Sequence, residues 1–98
     1  MTGTQTASGS FNRELLIVNR KGLHARATAK FVQCVEQFEA EITVSRLGET
    51  VGGTSIMGIL TLGAGIGTTI TVTAKGNDSE QAMEAIAALV ANRFGEDE

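Results

Sequence analysis

Tryptophan, tyrosine and proline are absent from this 98-residue chain, and cysteine and histidine occur once each. One cysteine excludes an internal disulfide, and a single cysteine with a single histidine leaves too few ligands for a structural zinc site. No metal or other cofactor is therefore expected. The opening MTGTQTASGS carries neither a basic segment nor an apolar core, which argues against a secretory signal, and the apolar runs are too short to cross a bilayer. Eight basic against eleven acidic residues give a net charge of −3, which speaks against general nucleic-acid binding. The balance of 42% hydrophobic and 19% charged residues fits one globular, cytoplasmic domain. Without proline, the 12 glycines are left to make the turns.

Residues 1–10 are rich in Thr, Ser and Gly and read as a flexible tail, residues 11–95 as the domain, and residues 96–98 as a solvated acidic end. The aliphatic run over residues 14–18 suggests a first strand. After Gly22, Thr28, Phe31, Val32, Val35 and Phe38 recur at helical spacing, predicting a helix that starts just after His24 and ends within residues 37–40. Residues 41–47 alternate as a second strand, Gly48 turns the chain, and a short third strand passes through Thr50 and Val51. A short helix over residues 55–62 has Thr54 or Ser55 as its N-cap. A fourth strand points Ile70, Val72 and Ala74 inward. The last helix carries a stripe of Ala82, Met83, Ile86, Leu89, Val90 and Phe94, with a capping box from Asn77 and Glu80 or Asp78 and Gln81, and Gly95 as its stop. The order β-α-β-β-α-β-α, with one-sided stripes throughout, predicts an α+β open-faced β-sandwich: a four-stranded, mostly antiparallel sheet with three helices on one face. Strand order is not set by the pattern.

The single histidine stands where the first helix begins, a position at which Ser, Thr, Asp or Asn would cap better. Arg20, Lys21, Arg26 and Lys30 are half of the chain's basic residues, and no acidic residue lies between Glu14 and Glu36. Arg26 and Lys30 repel at i,i+4 and sit at the positive end of the helix dipole. Local rules broken together point to a compensating anion, which unpaired first-turn N–H groups are suited to bind. A neutral imidazole there is a nucleophile, and Arg26 has the planar fork that suits a phosphoryl group. On residue types alone, an exposed histidine in a basic loop is the plainer reading, and the phosphoryl site a hypothesis beside it.

GLHARATAKFV followed by GGTSIMGILTLGAGIGTTITV resembles the histidine-containing phosphocarrier (HPr) family of the bacterial phosphoenolpyruvate-dependent phosphotransferase system. The resemblance runs from about Phe11 to Phe94. It implies a phosphocarrier rather than a stand-alone enzyme: enzyme I phosphorylates His24 at Nδ1, and the group passes to a histidine of an enzyme IIA. It further implies that Arg26 steadies the phosphoryl group, with the backbone of Ala25, Arg26 and Ala27 contributing. Ser55 matches a serine that an HPr kinase/phosphorylase modifies in some members. Thr28, Gln33, Ile56, Met57 and Leu60 would form the partner surface of a monomer. The alternative within the family is a regulatory, nitrogen-branch signalling protein instead of a sugar-uptake carrier. Ala27 stands where members commonly have proline, giving up a preset φ in the first turn.

Ser55 has a purely structural role open to it as an N-cap. Ile56, Met57, Ile59, Leu60 and Leu62 are too many apolar residues for so short a helix to bury, so Ile56, Met57 and Leu60 are expected at the surface, where methionine suits a face used by several partners. Cys34, one position off the apolar stripe, is expected to be a free, partly buried thiol.

Overall fold

Alternating apolar residues make the strands, and the computed structural model, which describes residues 10–98, pairs them into one antiparallel sheet. The expected tail of residues 1–10 lies outside the described residues except for Ser10. Strands β1 (Phe11–Leu16), β2 (Glu41–Arg46), β3 (Glu49–Gly52) and β4 (Thr69–Lys75) lie in the order β1-β4-β2-β3. β4 is central, with Val72 opposite both Arg13 and Val44. Ile42, Val44, Ile70, Val72 and Ala74 are buried, as the period of two requires when one face meets the core.

Helices α1 (Ala25–Val35), α2 (Ile56–Thr61) and α3 (Ser79–Ala91) supply the other layer. Ala27, Thr28, Phe31, Val32 and Val35 of α1 and Ala82, Met83, Ile86 and Val90 of α3 are buried in the shared core. Among the described residues no helix is long and apolar enough to cross a membrane.

Several boundaries differ from the sequence reading. β1 occupies Phe11–Leu16, because its whole length pairs with β4, from Phe11 opposite Ala74 to Leu16 opposite Thr69. α1 stops at Val35, and Phe38 only packs partly against the core. Leu47 belongs to the β2–β3 turn and is 85% exposed; with Gly48 it forms a two-residue connection in which both φ angles are positive (52° and 85°), the geometry of a tight hairpin. No capping box closes α3. Asp78 is the N-cap without a side-chain cap bond, its Oδ2 instead accepting the Glu39 N–H at 2.7 Å, so the carboxylate ties two loops together. Nor does Gly95 stop α3 directly: the helix ends at Ala91, and a 3-10 turn over Arg93–Gly95 follows.

Candidate functional site at the start of the first helix

The chain leaves β1 still bound to the sheet side of the molecule, with Ile17 N–H donating to Thr68 O at 2.9 Å and Gly67 N–H donating to Ile17 O at 2.8 Å. It then turns sharply. Fully buried Asn19 holds the turn, its Nδ2 donating to Gly22 O at 2.8 Å while Gly22 N–H donates to Asn19 O at 3.2 Å. Gly22 has φ +66°, and a Cβ there would lie 2.5 Å from Ala64 O and 2.8 Å from Gly65 Cα. Next, Leu23 N–H donates to Ala64 O at 2.9 Å. Gly22→Ala combines left-handed strain with a backbone clash, each costing roughly 1–3 kcal/mol. A loss of about 3 kcal/mol is expected in urea titration, with broadening of the His24 and Leu23 amide signals.

His24 is the N-cap of α1, with extended backbone (φ −76°, ψ −179°) and no side-chain bond to the helix. The first intrahelical bond runs from Thr28 N–H to His24 O at 2.9 Å, so the N–H groups of Ala25, Arg26 and Ala27 precede the ladder. Ala25 and Arg26 are exposed, but Ala27 is fully buried. Of the three, only Ala25 and Arg26 are exposed residues, and the α1 start forms without the proline common at this position. The Arg26 guanidinium makes no ion pair or hydrogen bond among the described residues. Lys30 is turned away, its Nζ donating to Phe94 O at 2.7 Å, which relieves the i,i+4 repulsion expected with Arg26.

The imidazole is engaged from the far end of the chain. His24 Nε2 lies 2.5 Å from Glu96 Oε2, 72 residues away, and Asn19 Nδ2 donates to the other oxygen of that carboxylate at 3.1 Å. Arg20 grips the next turn of the tail, its backbone N–H donating to Glu98 O at 2.6 Å and its guanidinium pairing with Glu98 at 2.7 Å. Thus Glu96 is not solvated as expected but docks on the basic loop whose charge lacked a local partner, while Asp97 and Glu98, though Glu98 pairs with Arg20, stay exposed. The hydrogen bond from His24 holds the Glu96 carboxyl below its ordinary range, against the upward push of its partial burial; the Asn19 hydrogen bond and the nearby Lys21 add to the lowering. Arg20, Lys21, His24, Ala25, Arg26, Glu96, Asp97 and Glu98 line a groove of about 640 Å³. An acidic carboxylate pinned beside an imidazole is the contact that sequence reasoning missed, since nothing local in a three-residue acidic end signals where it docks.

Of the expected partner surface, Met57 is 70% and Ile56 42% exposed, Gln33 is exposed and Leu60 half-buried. Thr28 is not available: it is fully buried, with Oγ1 donating to Leu23 O at 3.3 Å. Helical spacing had placed it inward, and packing under the His24 loop keeps it there. Ser55 is exposed and caps α2, its Oγ accepting the Gly58 N–H at 3.1 Å. Cys34 is half-buried, and burial pushes its thiol up, away from the reactive thiolate.

Comparison with known proteins places the chain in a family. Residues 11–92 match the family described as the PTS HPr component phosphorylation site. The chain belongs to the HPr family. It is 49% identical over 86 residues to the phosphocarrier protein HPr of Cupriavidus necator, spanning 88% of this chain and 97% of that protein. It is 42% identical over 84 residues to the phosphocarrier protein NPr of Shewanella violacea, spanning 86% and 92%. An HPr structure from Thermoanaerobacter tengcongensis superposes with a TM-score of 0.85 at 38% identity, covering 89% of this chain and 98% of that one. A phosphocarrier role in the phosphotransferase system is thereby supported, and the four-stranded sheet under three helices is the fold of its solved relatives.

Proposed function

We propose that this chain is a cytoplasmic, monomeric phosphocarrier whose His24 accepts a phosphoryl group from phosphorylated enzyme I and delivers it to a histidine of an enzyme IIA. The observation that carries the reading is the partly exposed His24 imidazole beside the first-turn amides of the exposed residues Ala25 and Arg26, with the Arg26 guanidinium unpaired among the described residues. Phosphoryl transfer demands in-line positioning and stabilisation of charge on the phosphoryl oxygens, with little covalent work from other side chains. The two N–H groups, the positive end of the α1 dipole and the planar Arg26 fork supply that stabilisation. The chain would be a covalent intermediary, phosphorylated by one partner and relieved by the next, instead of a turnover catalyst.

Docking falls to Ile56, Met57 and Leu60, with Gln33 on the neighbouring helix; exposed apolar side chains, methionine among them, suit partners that must bind and leave. A regulatory phosphate on Ser55, placed by an HPr kinase/phosphorylase, would put nearly two negative charges next to Ile56 and Met57 and weaken docking there. The similarity to an NPr as well as to HPr proteins favours keeping a nitrogen-branch regulatory role as the second reading.

Incubation with enzyme I and labelled phosphoenolpyruvate tests the main reading. The expected product is an acid-labile, base-stable label on the peptide that contains His24, discharged by a sugar-specific or a nitrogen-branch enzyme IIA, the preferred acceptor naming the branch. No label, or an acid-stable one, overturns the phosphoacceptor role.

A further inference from the structure

Resting on the phosphoacceptor reading of His24, we propose that Glu96 is a positioning residue for the transfer: its carboxylate keeps the imidazole proton on Nε2, leaves the Nδ1 lone pair as the nucleophile, and balances the charge that the ring acquires. Three contacts carry this. Glu96 Oε2 lies 2.5 Å from Nε2, and no other hydrogen bond of the imidazole exists among the described residues. The second carboxylate oxygen accepts from Asn19 Nδ2, and Asn19 is itself fully buried and fixed on Gly22 O. The tail that presents Glu96 is anchored on both sides, by fully buried Phe94 before it and by the Glu98 contacts with Arg20 after it.

An ionised carboxylate has no proton to donate, so the bond requires hydrogen on Nε2. In a neutral imidazole the other nitrogen then carries the free lone pair, and which nitrogen reacts is decided by the partner of its neighbour. In the transfer, the Nδ1 lone pair forms the new N–P bond as the bond from phosphorus to the donor protein's histidine nitrogen breaks, its electron pair staying with the donor. No proton moves. The ring retains its Nε2–H and becomes a phosphorylated imidazolium, and Glu96 faces that positive charge from the edge of the ring opposite the phosphoryl group. Delivery to the acceptor histidine runs the same exchange in reverse, and the ring returns to the neutral Nε2–H tautomer on the same carboxylate. Glu96 thus does for His24 what a buried aspartate does for the histidine of a hydrolase triad: it fixes the tautomer and steadies the cation without taking the proton.

The test pairs ring ¹⁵N spectra of His24 with single-turnover phosphorylation by enzyme I, on the unaltered protein, Glu96→Ala and Glu96→Gln. The unaltered protein should show one neutral tautomer, with pyrrole-like Nε2 and pyridine-like Nδ1. Both variants should drift toward a mixture and accept the phosphoryl group about tenfold more slowly, the worth of one charge-assisted hydrogen bond. Far-UV spectra should not change, because Glu96 lies beyond the last helix. A tautomer ratio that ignores both substitutions overturns the proposal. Equal or faster acceptance by both variants does so as well, the faster case marking Glu96 as an obstruction in the groove. If the unaltered protein takes no label, the phosphoacceptor reading falls and any role of Glu96 in transfer falls with it, while the spectra still report whether Glu96 holds the ring.

Discussion

His24→Gln should leave a folded protein that no longer accepts a phosphoryl group. Glutamine is close to histidine in reach, and its side-chain amide N–H can still donate to Glu96, so the tail should stay docked. The α1 start should stay too, because its cap is backbone: Thr28 N–H to His24 O, with no imidazole bond to the helix. The stability change should stay within about 1 kcal/mol, as for other partly exposed polar pairs. An amide nitrogen is not a nucleophile, however, and neither the Arg26 guanidinium nor the Ala25 amide can replace it. Acceptance from phosphorylated enzyme I should therefore fall by more than about a thousandfold, as when a nucleophile is removed from its intact surroundings. The measurement is label incorporated per protein chain, set beside a urea titration of the same preparation. Residual labelling near the original rate would place the acceptor elsewhere in the chain.

The two halves of that experiment correspond to what the sequence could and could not disclose. The start of α1 was legible because its evidence is local: a poor N-cap residue, unpaired first-turn donors and four cations within residues 20–30. The layered fold was legible because period-two and helical stripes are local as well. Strand order was not, since β1 finds β4 across more than half the chain and alternation says only that a strand has an inner face. The local charge imbalance suggested an anion, which was sound physics with an incomplete answer. Carboxylates from the other end of the same chain stand at that groove, and only the fold brings them there. Thr28 shows the converse case, in which helical spacing put it correctly in the core while the family resemblance had drawn it to the surface.

Phe94→Ala should be the most destabilising single change, because Phe94 joins the core to the site. Its ring is fully buried, among the largest side chains so enclosed. Its backbone is left-handed (φ 54°), as is that of Arg93 (φ 58°), a conformation that costs roughly 1–2 kcal/mol per non-glycine residue. Such a turn persists only where packing over-determines it. Here the ring is held in the core and the Phe94 carbonyl accepts from Lys30 Nζ, which binds the turn to α1. Truncation removes the ring but retains the strain, so nothing then holds the turn in place. Loss of a buried phenylalanine costs about 3–5 kcal/mol, and in a domain of this size about 4 kcal/mol should lower Tm by more than about 15 °C. The effect should reach further than stability. With the turn loosened, Gly95 and Glu96 lose the anchor that brings the carboxylate to His24. The Phe94→Ala protein, studied below its melting temperature, should show the tautomer mixture expected of Glu96→Ala although Glu96 itself is intact. A variant that loses stability but keeps a single His24 tautomer would show that the Arg20–Glu98 contacts suffice to hold the tail, leaving Phe94 a role in the core alone.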